Sequence, residues 1–237
     1  MKYKIISFLQ RPKWGSQKDK QFLVMRDGLR RSVGCNAPDA ELVIIEDHSG
    51  FVNALDACHR KVREWAVQCC KSYVPCACLD IDCLVLQDLS PIFENTFDLG
   101  MTVRDDKQWL NAGVMYFQPS DQARRDMVAW AELSRDSSRD KKIESWYRKE
   151  TGQSATNEAS FAYGLKHKVF QGRVKKFQCR EWNCEQHYWE DMDENTKVLH
   201  VKSGLRGHVF NVKGKYPHFR PERARMAIAR VEEYYGL

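Results

Sequence analysis

Short apolar runs alternate with longer segments of helical spacing through the first half of this 237-residue chain. The runs at 4–9, 41–46 and 74–79 are rich in β-forming residues and predict three strands. Apolar residues at helical spacing over 18–33 and 51–70 predict the two helices between them. Because this alternation is typical of βαβ units, it predicts an α/β fold with a central, mostly parallel sheet flanked by helices.

The rest of the chain continues this pattern with less regular spacing. An extended stretch at 84–86 leads into a short helical turn at 88–93. Four further runs predict strands, at 97–103, 111–117, 174–177 and 197–201. Three segments predict helices: 121–149 with a break near Ser137, 156–165 with Thr156 as N-cap, and 221–235.

Length and composition fit one cytoplasmic domain. The first apolar run is too short for a signal-peptide core, and no stretch approaches the roughly 18 apolar residues that span a membrane. We therefore expect no membrane span and a cytoplasmic location. The nine cysteines lack paired zinc-ribbon spacing, which favours reduced thiols over a disulfide framework or a structural zinc site.

The formal net charge of +6 is concentrated near the C-terminus. Residues 202–225 carry seven lysines and arginines against a single acid, Glu222. Such a segment attracts a diphosphate, a nucleic acid or an acidic surface, although a solvated basic face explains it as well. Neither a dinucleotide-binding fingerprint nor a P-loop occurs, so any bound phosphates need a metal ion and cationic side chains.

Asp80 and Asp82 directly follow the apolar run 74–79. Carboxylates at i and i+2 of an extended chain point the same way, and two acids at the end of a buried strand cost free energy unless a cation compensates them. Mg²⁺ and Mn²⁺ prefer such oxygen ligands and commonly bridge to phosphates. Since α/β sheets bind ligands at the carboxyl ends of their strands, the pair predicts a divalent-metal site.

Four segments in order resemble the GT-A glycosyltransferases, most closely the retaining, glycogenin-like and galactosyltransferase-like branch. The first is LDIDCLVLQDLSPIF, which is similar to the D-x-D run of that branch. The other three are WLNAGVMYF at 109–117, TNEASF at 156–161 and VLHVKSGLR at 198–206. The resemblance implies one GT-A-like domain, with a Rossmann-like nucleotide-sugar half at 1–103, an acceptor half at 104–215 and a helical segment at 216–237.

The resemblance also implies roles for individual residues. Asp80, Asp82 and His200 would hold Mn²⁺ or Mg²⁺, which neutralises the leaving diphosphate. Lys202, Gly204 and Arg206 would lie at that diphosphate, although Arg206 stands where the branch carries Lys-Pro-Trp.

A second set of roles concerns the sugar and the nucleotide. Asn111 would hydrogen-bond sugar hydroxyls, and Glu158 would lie beneath the reacting sugar unless it only complements a helix dipole. Arg104 lies near the expected site, as do Asp105 and Asp106, and a solvated loop explains them equally well. Ser7 and Asp47, near the ends of the first two strands, would meet ribose or base, but structural roles are favoured for both.

Three questions stay open from the sequence. Tryptophans 109, 146, 182 and 189 are candidates to stack on a sugar or base, but aromatic residues more often form core. A D-x-D phosphohydrolase and a non-catalytic nucleotide-sugar or nucleic-acid binding module are rival functions. The acceptor of a transferase would be a glycan, a protein or DNA with a hydroxymethylated base.

Overall fold

The computed structural model describes residues 1–11, 16–49, 54–104, 109–139, 141–152, 157–212 and 219–237. It contains a six-stranded sheet and a separate two-stranded sheet. The strands are β1 Tyr3–Gln10, β2 Ala40–Asp47, β3 Cys76–Asp80, β4 Cys83–Val85, β5 Leu99–Val103, β6 Leu110–Phe117, β7 Val174–Gln178 and β8 Val198–His200. The α-helices are α1 Gln17–Asn36, α2 Ala54–Lys71, α3 Asp121–Arg139, α4 Lys142–Thr151, α5 Asn157–Lys166, α6 Cys179–Trp182, α7 Ser203–Val209 and α8 Arg225–Tyr235.

The large sheet has the order β2-β1-β3-β6-β5-β7. Its strands all run in one direction except β6, which is antiparallel to both β3 and β5. The predicted α/β fold with a mostly parallel central sheet is confirmed. The reversal of β6 places the beginning of that strand beside the carboxyl ends of its neighbours, so Asn111 lies at the edge of the sheet where Asp80 ends β3.

Alternating residues of β1 divide the interior into two layers, as a strand with period two requires. Ile6 and Phe8 face a core that contains Trp65 of α2. Ile5 and Leu9 face a second core that contains α1 residues such as Leu29. A third cluster lies where α8 packs near β4 and β8. Both faces of the sheet are thus covered, and the open edge at the ends of the strands is where polar side chains gather.

The small sheet pairs β4 with β8 in antiparallel register, and Cys83 lies opposite His200. This pairing joins a segment that directly follows Asp82 to one that is more than 100 residues further along the chain. It is the feature of the fold that assembles the candidate site.

Several element boundaries differ from the sequence prediction. The break expected near Ser137-Ser138 is present but lies slightly later, since α3 ends at Arg139 and α4 begins at Lys142. Ser137 is fully buried, so packing retains it inside the helix. The closing helix α8 begins at Arg225 rather than 221, because a turn in which Ala224 N–H donates to the Pro221 carbonyl precedes it. The short helices α6 and α7 were not predicted.

Two further points concern the chain as a whole. Thr156, Asp105 and Asp106 lie outside the described residues. Within the described ranges, none of the helices has the length and apolar character needed to cross a lipid bilayer.

Candidate functional site

The site begins where β3 ends. Asp80 is the last residue of that strand, and Asp82 is the second residue of the two-residue turn that leads into β4. The backbone carbonyl of Asp82 accepts a hydrogen bond of 2.7 Å from Val201 N–H, which ties the turn to the segment after β8. Two carboxylates are therefore held at the carboxyl edge of the sheet, where ligands of α/β folds bind.

His200 meets both carboxylates. Its Nε2 lies 3.2 Å from Asp82 Oδ1 and 3.7 Å from Asp80 Oδ2. Adjacent ligand atoms of an octahedral Mg²⁺ ion, at bonds of about 2.1 Å, are about 3 Å apart. The separation of His200 Nε2 from Asp82 Oδ1 matches that of adjacent metal ligands, and Asp80 Oδ2 lies further from the ring nitrogen. Carboxylate oxygens and an imidazole nitrogen are groups that bind divalent ions.

Each carboxylate directs one oxygen toward His200 and the other toward a cation. Asp80 Oδ1 accepts a hydrogen bond of 2.5 Å from Lys61 Nζ, and Asp82 Oδ2 lies 3.4 Å from Arg206 Nη1. Burial raises the pKa of Asp80 above its ordinary value against the opposing effect of Lys61. Burial also acts to raise the pKa of Asp82, but His200 and Arg206 outweigh it and hold that pKa below the ordinary range. Asp82 is consequently anionic at neutral pH.

The thiol of Cys83 lies close enough to Asp82 and His200 to be considered as a ligand. Burial raises the pKa of this thiol well above its ordinary value in the metal-free protein, and a bound metal ion would lower it. The Cys83 thiol faces the Gly113 carbonyl at 3.8 Å. Asp80 is a second candidate for the third ligand, since its Oδ2 lies 3.7 Å from His200 Nε2.

A hydrogen-bonded chain orients the imidazole of His200. Asn183 Nδ2 donates to Thr102 Oγ1 at 2.8 Å, which leaves Asn183 Oδ1 to accept from His200 Nδ1 at 3.0 Å. Thr102 Oγ1 in turn donates to the Asn111 carbonyl at 2.9 Å. The hydrogen bond at Nδ1 fixes the ring with Nε2 toward the two carboxylates, where Nε2 would offer its lone pair to a bound metal ion. Metal-bound histidines are typically oriented in this way, by a hydrogen bond from the ring nitrogen that does not contact the metal.

Gly113 is required by the packing of that ring. A Cβ atom added there would lie 2.2 Å from His200 Cε1, well inside van der Waals contact. Asn111 Oδ1 accepts a hydrogen bond of 3.0 Å from the Gly113 N–H. The buried Nδ2 of Asn111 has no hydrogen-bond partner among the described residues. The strand β6 therefore makes room for His200 and leaves an amide donor at the site.

Glu158 comes to the same edge from α5. Its Oε1 accepts a hydrogen bond of 3.2 Å from the Ala112 N–H, and the Ala112 carbonyl lies 3.4 Å from Lys61 Nζ. The structure thus brings together Asp80, Asp82, His200, Arg206, Asn111 and Glu158.

Lys61 was missed by the sequence analysis. It lies on α2 with its ammonium group 4.7 Å from the centre of the Trp65 ring. Burial lowers the pKa of Lys61, but Asp80 reverses this and raises it above the ordinary value, so the lysine stays charged. A signal was present, because Lys61 stands three residues after Cys58 and four before Trp65, on the apolar face of the helix.

Glu185 is the second residue that was missed. Its carboxylate is fully buried and bridges two cations, Arg104 Nε at 2.9 Å and Lys202 Nζ at 3.1 Å. Their attraction overcomes the effect of burial and lowers the pKa of Glu185. In the sequence, Glu185 is one of six acidic residues between positions 181 and 194, and no motif or spacing distinguishes it from the others as a site residue.

Neither a family model nor a curated protein sequence matches the chain. Solved structures do. A glycosyltransferase involved in the glycosylation of the major capsid of PBCV-1 superimposes with a TM-score of 0.59 at 11% identity, over 89% of this chain and 99% of that one. The galactosyltransferase LgtC, in complex with donor and acceptor sugar analogs, gives 0.53 at 13% identity, over 98% and 95%. The glycosyltransferase GlyE of Streptococcus pneumoniae TIGR4 gives 0.50 at 11%, over 98% and 63%.

This chain has a GT-A fold. The likeness extends over nearly the whole chain and over nearly all of the first two structures. At these identities it establishes the architecture, and the functional argument depends on the site itself.

The remaining predicted residues lie around the GT-A site without entering its carboxylate cluster. Ser7 is fully buried in β1, and its hydroxyl has no partner among the described residues. Asp47 ends β2 and pairs with Arg60 at 3.1 Å. Gly204 lies in α7 against Phe219, whose Cβ would be 2.7 Å from an added Cβ. Arg104 and Lys202 meet each other through Glu185.

Proposed function

We propose that the protein is a metal-dependent glycosyltransferase that moves a sugar from a nucleotide-sugar donor, a UDP- or GDP-sugar, to an acceptor hydroxyl. The observation that carries the proposal is the approach of His200 Nε2 to within 3.2 and 3.7 Å of Asp82 and Asp80 at the ligand-binding edge of a GT-A fold.

The residues of the site would have two separate roles in binding the donor, one toward the metal ion and one toward the phosphate groups. Bound Mn²⁺ or Mg²⁺ would supply charge neutralisation for the diphosphate as it leaves. Asp80, Asp82 and His200 are the ligands for it. Arg206, beside Asp82, and Lys202, held by Glu185, are the cations for the phosphate oxygens, where fixed positive charge favours the transition state.

The sugar would lie against the beginning of β6 and the first turn of α5. There the buried Nδ2 of Asn111 is an unused donor, and Glu158 Oε1 is held by the Ala112 N–H. Lys61 also lies there, with its Nζ 3.4 Å from the Ala112 carbonyl. Its charged ammonium group would complement the polar hydroxyls of a sugar ring. For the stereochemical outcome we propose retention, which rests on the resemblance of the sequence motifs to the retaining branch.

The test is donor hydrolysis, screened with UDP-, GDP- and CMP-sugars with and without Mn²⁺. We expect turnover with one nucleotide that depends on the metal, and a loss of at least about 100-fold in Asp82→Asn. Asp121→Asn is the matched control, because its carboxylate is 89% exposed on α3. If no donor is hydrolysed and none binds in a metal-dependent way, the proposal fails.

A further inference from the structure

A cleft that is separate from the carboxylate cluster lies at the beginning of β6. It encloses about 390 Å³, within the range of small-ligand pockets, and is open to solvent on one side. Two tryptophans, Trp109 and Trp146, line it together with the ends of α4 and α5 and with Lys176 of β7. The other two candidate tryptophans are elsewhere: Trp189 is buried in the C-terminal core, and Trp182 packs on Tyr116.

The cleft and the proposed donor site are built on the same two elements. Leu110 of β6 lines the cleft, and Asn111 is the next residue. On α5, Glu158 reaches the site, while Ala162 and Lys166 line the cleft. With a rise of 1.5 Å per residue, the cleft runs from about 6 to about 12 Å beyond Glu158 along the helix axis. A molecule in the cleft would therefore extend toward the reacting sugar.

The Trp146 ring is fixed before any ligand arrives. Its centre lies 5.5 Å from that of Tyr163 in an edge-to-face contact, and Lys166 Nζ lies 5.0 Å from it. A ring held in this way loses little conformational entropy when a ligand packs on it. The half-buried Trp109 adds a second aromatic wall.

The polar groups of the cleft are mixed in sign. Lys166 forms an exposed ion pair with Glu150 at 3.5 Å, and Lys176 lies across from them. A site for nucleic acid needs a continuous row of cations to bind the phosphates. In this cleft, Glu150 interrupts such a row. Aromatic walls with both donors and acceptors suit a sugar, whose C–H face packs on an aromatic ring while its hydroxyls hydrogen-bond at the rim.

We propose that the cleft between Trp109 and Trp146 is the acceptor subsite and that it binds an oligosaccharide. The inference rests on the proposed transferase function and names the class of its acceptor. The bound glycan would run along α5 and present its terminal hydroxyl near Glu158.

The test uses a panel of methyl glycosides and short oligosaccharides, with binding measured by saturation-transfer NMR on the full-length protein. We expect at least one glycan to bind, and Trp109→Ala to weaken it by about tenfold. Trp146→Phe, which keeps an aromatic ring against Tyr163, should weaken it less and guards against misfolding of an alanine variant. Tyr73→Ala is the control, since Tyr73 is 91% exposed and outside the cleft.

In transfer assays with a bound glycan, we expect the loss to appear in the KM for the glycan rather than in the KM for the nucleotide-sugar. The inference is overturned if no glycan binds, if binding is insensitive to both tryptophans, or if a single-stranded oligonucleotide binds there instead. Failure of the proposed function is a separate result, because it appears as missing metal-dependent donor hydrolysis in the unmodified protein.

Discussion

The carboxylate edge, formed by Asp80, Asp82 and His200, is built differently from the tryptophan cleft, which lies between Trp109 and Trp146. At the edge, Asp82 and His200 are nearly inaccessible, and the hydrogen bonds of Asn183 and Thr102 fix the imidazole. In the cleft, Lys166 and Glu150 are about half exposed and form a loose ion pair. A site that must neutralise charge needs fixed, desolvated groups, whereas an acceptor surface only has to orient a ligand. Substitutions should therefore cost far more at the edge than in the cleft.

The largest effect is expected from His200→Ala. Removing the ring leaves the proposed metal with two carboxylate ligands, and we expect metal-dependent donor hydrolysis to fall by at least about 100-fold. Chelation with EDTA should reduce the unmodified protein to the same level, and added Mn²⁺ should restore only the unmodified protein. Equal rescue of both proteins would remove His200 from the metal site.

Lys61→Met should be the most destabilising change at the edge. It leaves the partly buried carboxylate of Asp80 without its cation, which we expect to cost up to about 3 kcal/mol in the free energy of unfolding. Chemical denaturation measures this loss. Because Mn²⁺ would then supply the missing positive charge, it should raise the melting temperature of the variant more than that of the unmodified protein. A smaller metal-induced shift in the variant would contradict the placement of the ion beside Asp80.

Gly113→Ala tests whether the packing around the imidazole matters. The added methyl group would lie 2.2 Å from His200 Cε1, so the ring must move, at a cost of about 1–3 kcal/mol in unfolding free energy. We also expect a weaker apparent affinity for Mn²⁺ in an isothermal titration. Gly34→Ala is the control, since an added Cβ there meets no atom within 4 Å.

Glu185→Gln should have a smaller and pH-dependent effect. The lowered pKa of Glu185 means that its ion pairs with Arg104 and Lys202 stabilise the fold above the ordinary pKa of 4.5 and lose that contribution as pH falls through the folded value. We expect the variant to be less stable by about 1–3 kcal/mol at pH 7 and the difference to shrink in acid. A constant difference across that range would contradict an ionised Glu185.

The smallest change in stability is expected in the cleft. Lys166→Ala breaks an exposed pair of 3.5 Å with Glu150, and such pairs contribute at most about 1 kcal/mol. Chemical denaturation of Lys166→Ala and of Lys61→Met compares the loss of unfolding free energy for one lysine in the cleft and one at the carboxylate edge. If both lost the same unfolding free energy, the contrast between the fixed edge and the open cleft would be wrong.

Local pattern was enough to predict the α/β fold and the position of Asp80 and Asp82 at the end of a strand. Both predictions follow from the alternation of apolar runs with segments of helical spacing. This pattern is local, because it depends only on residues that are close together in the sequence. The order of the motifs along the chain also predicted His200 as a partner of the two carboxylates.

Only the tertiary structure decided how these residues meet and what surrounds them. The register of Cys83 with His200, the closeness of Gly113 to the imidazole, and the bridge from Glu185 to Arg104 join segments that are distant in sequence. The same holds for Lys61, whose charge is stable in the interior because Asp80 lies 2.5 Å away. A one-dimensional pattern records which residues are apolar, but a buried charge depends on the partner that packing brings to it.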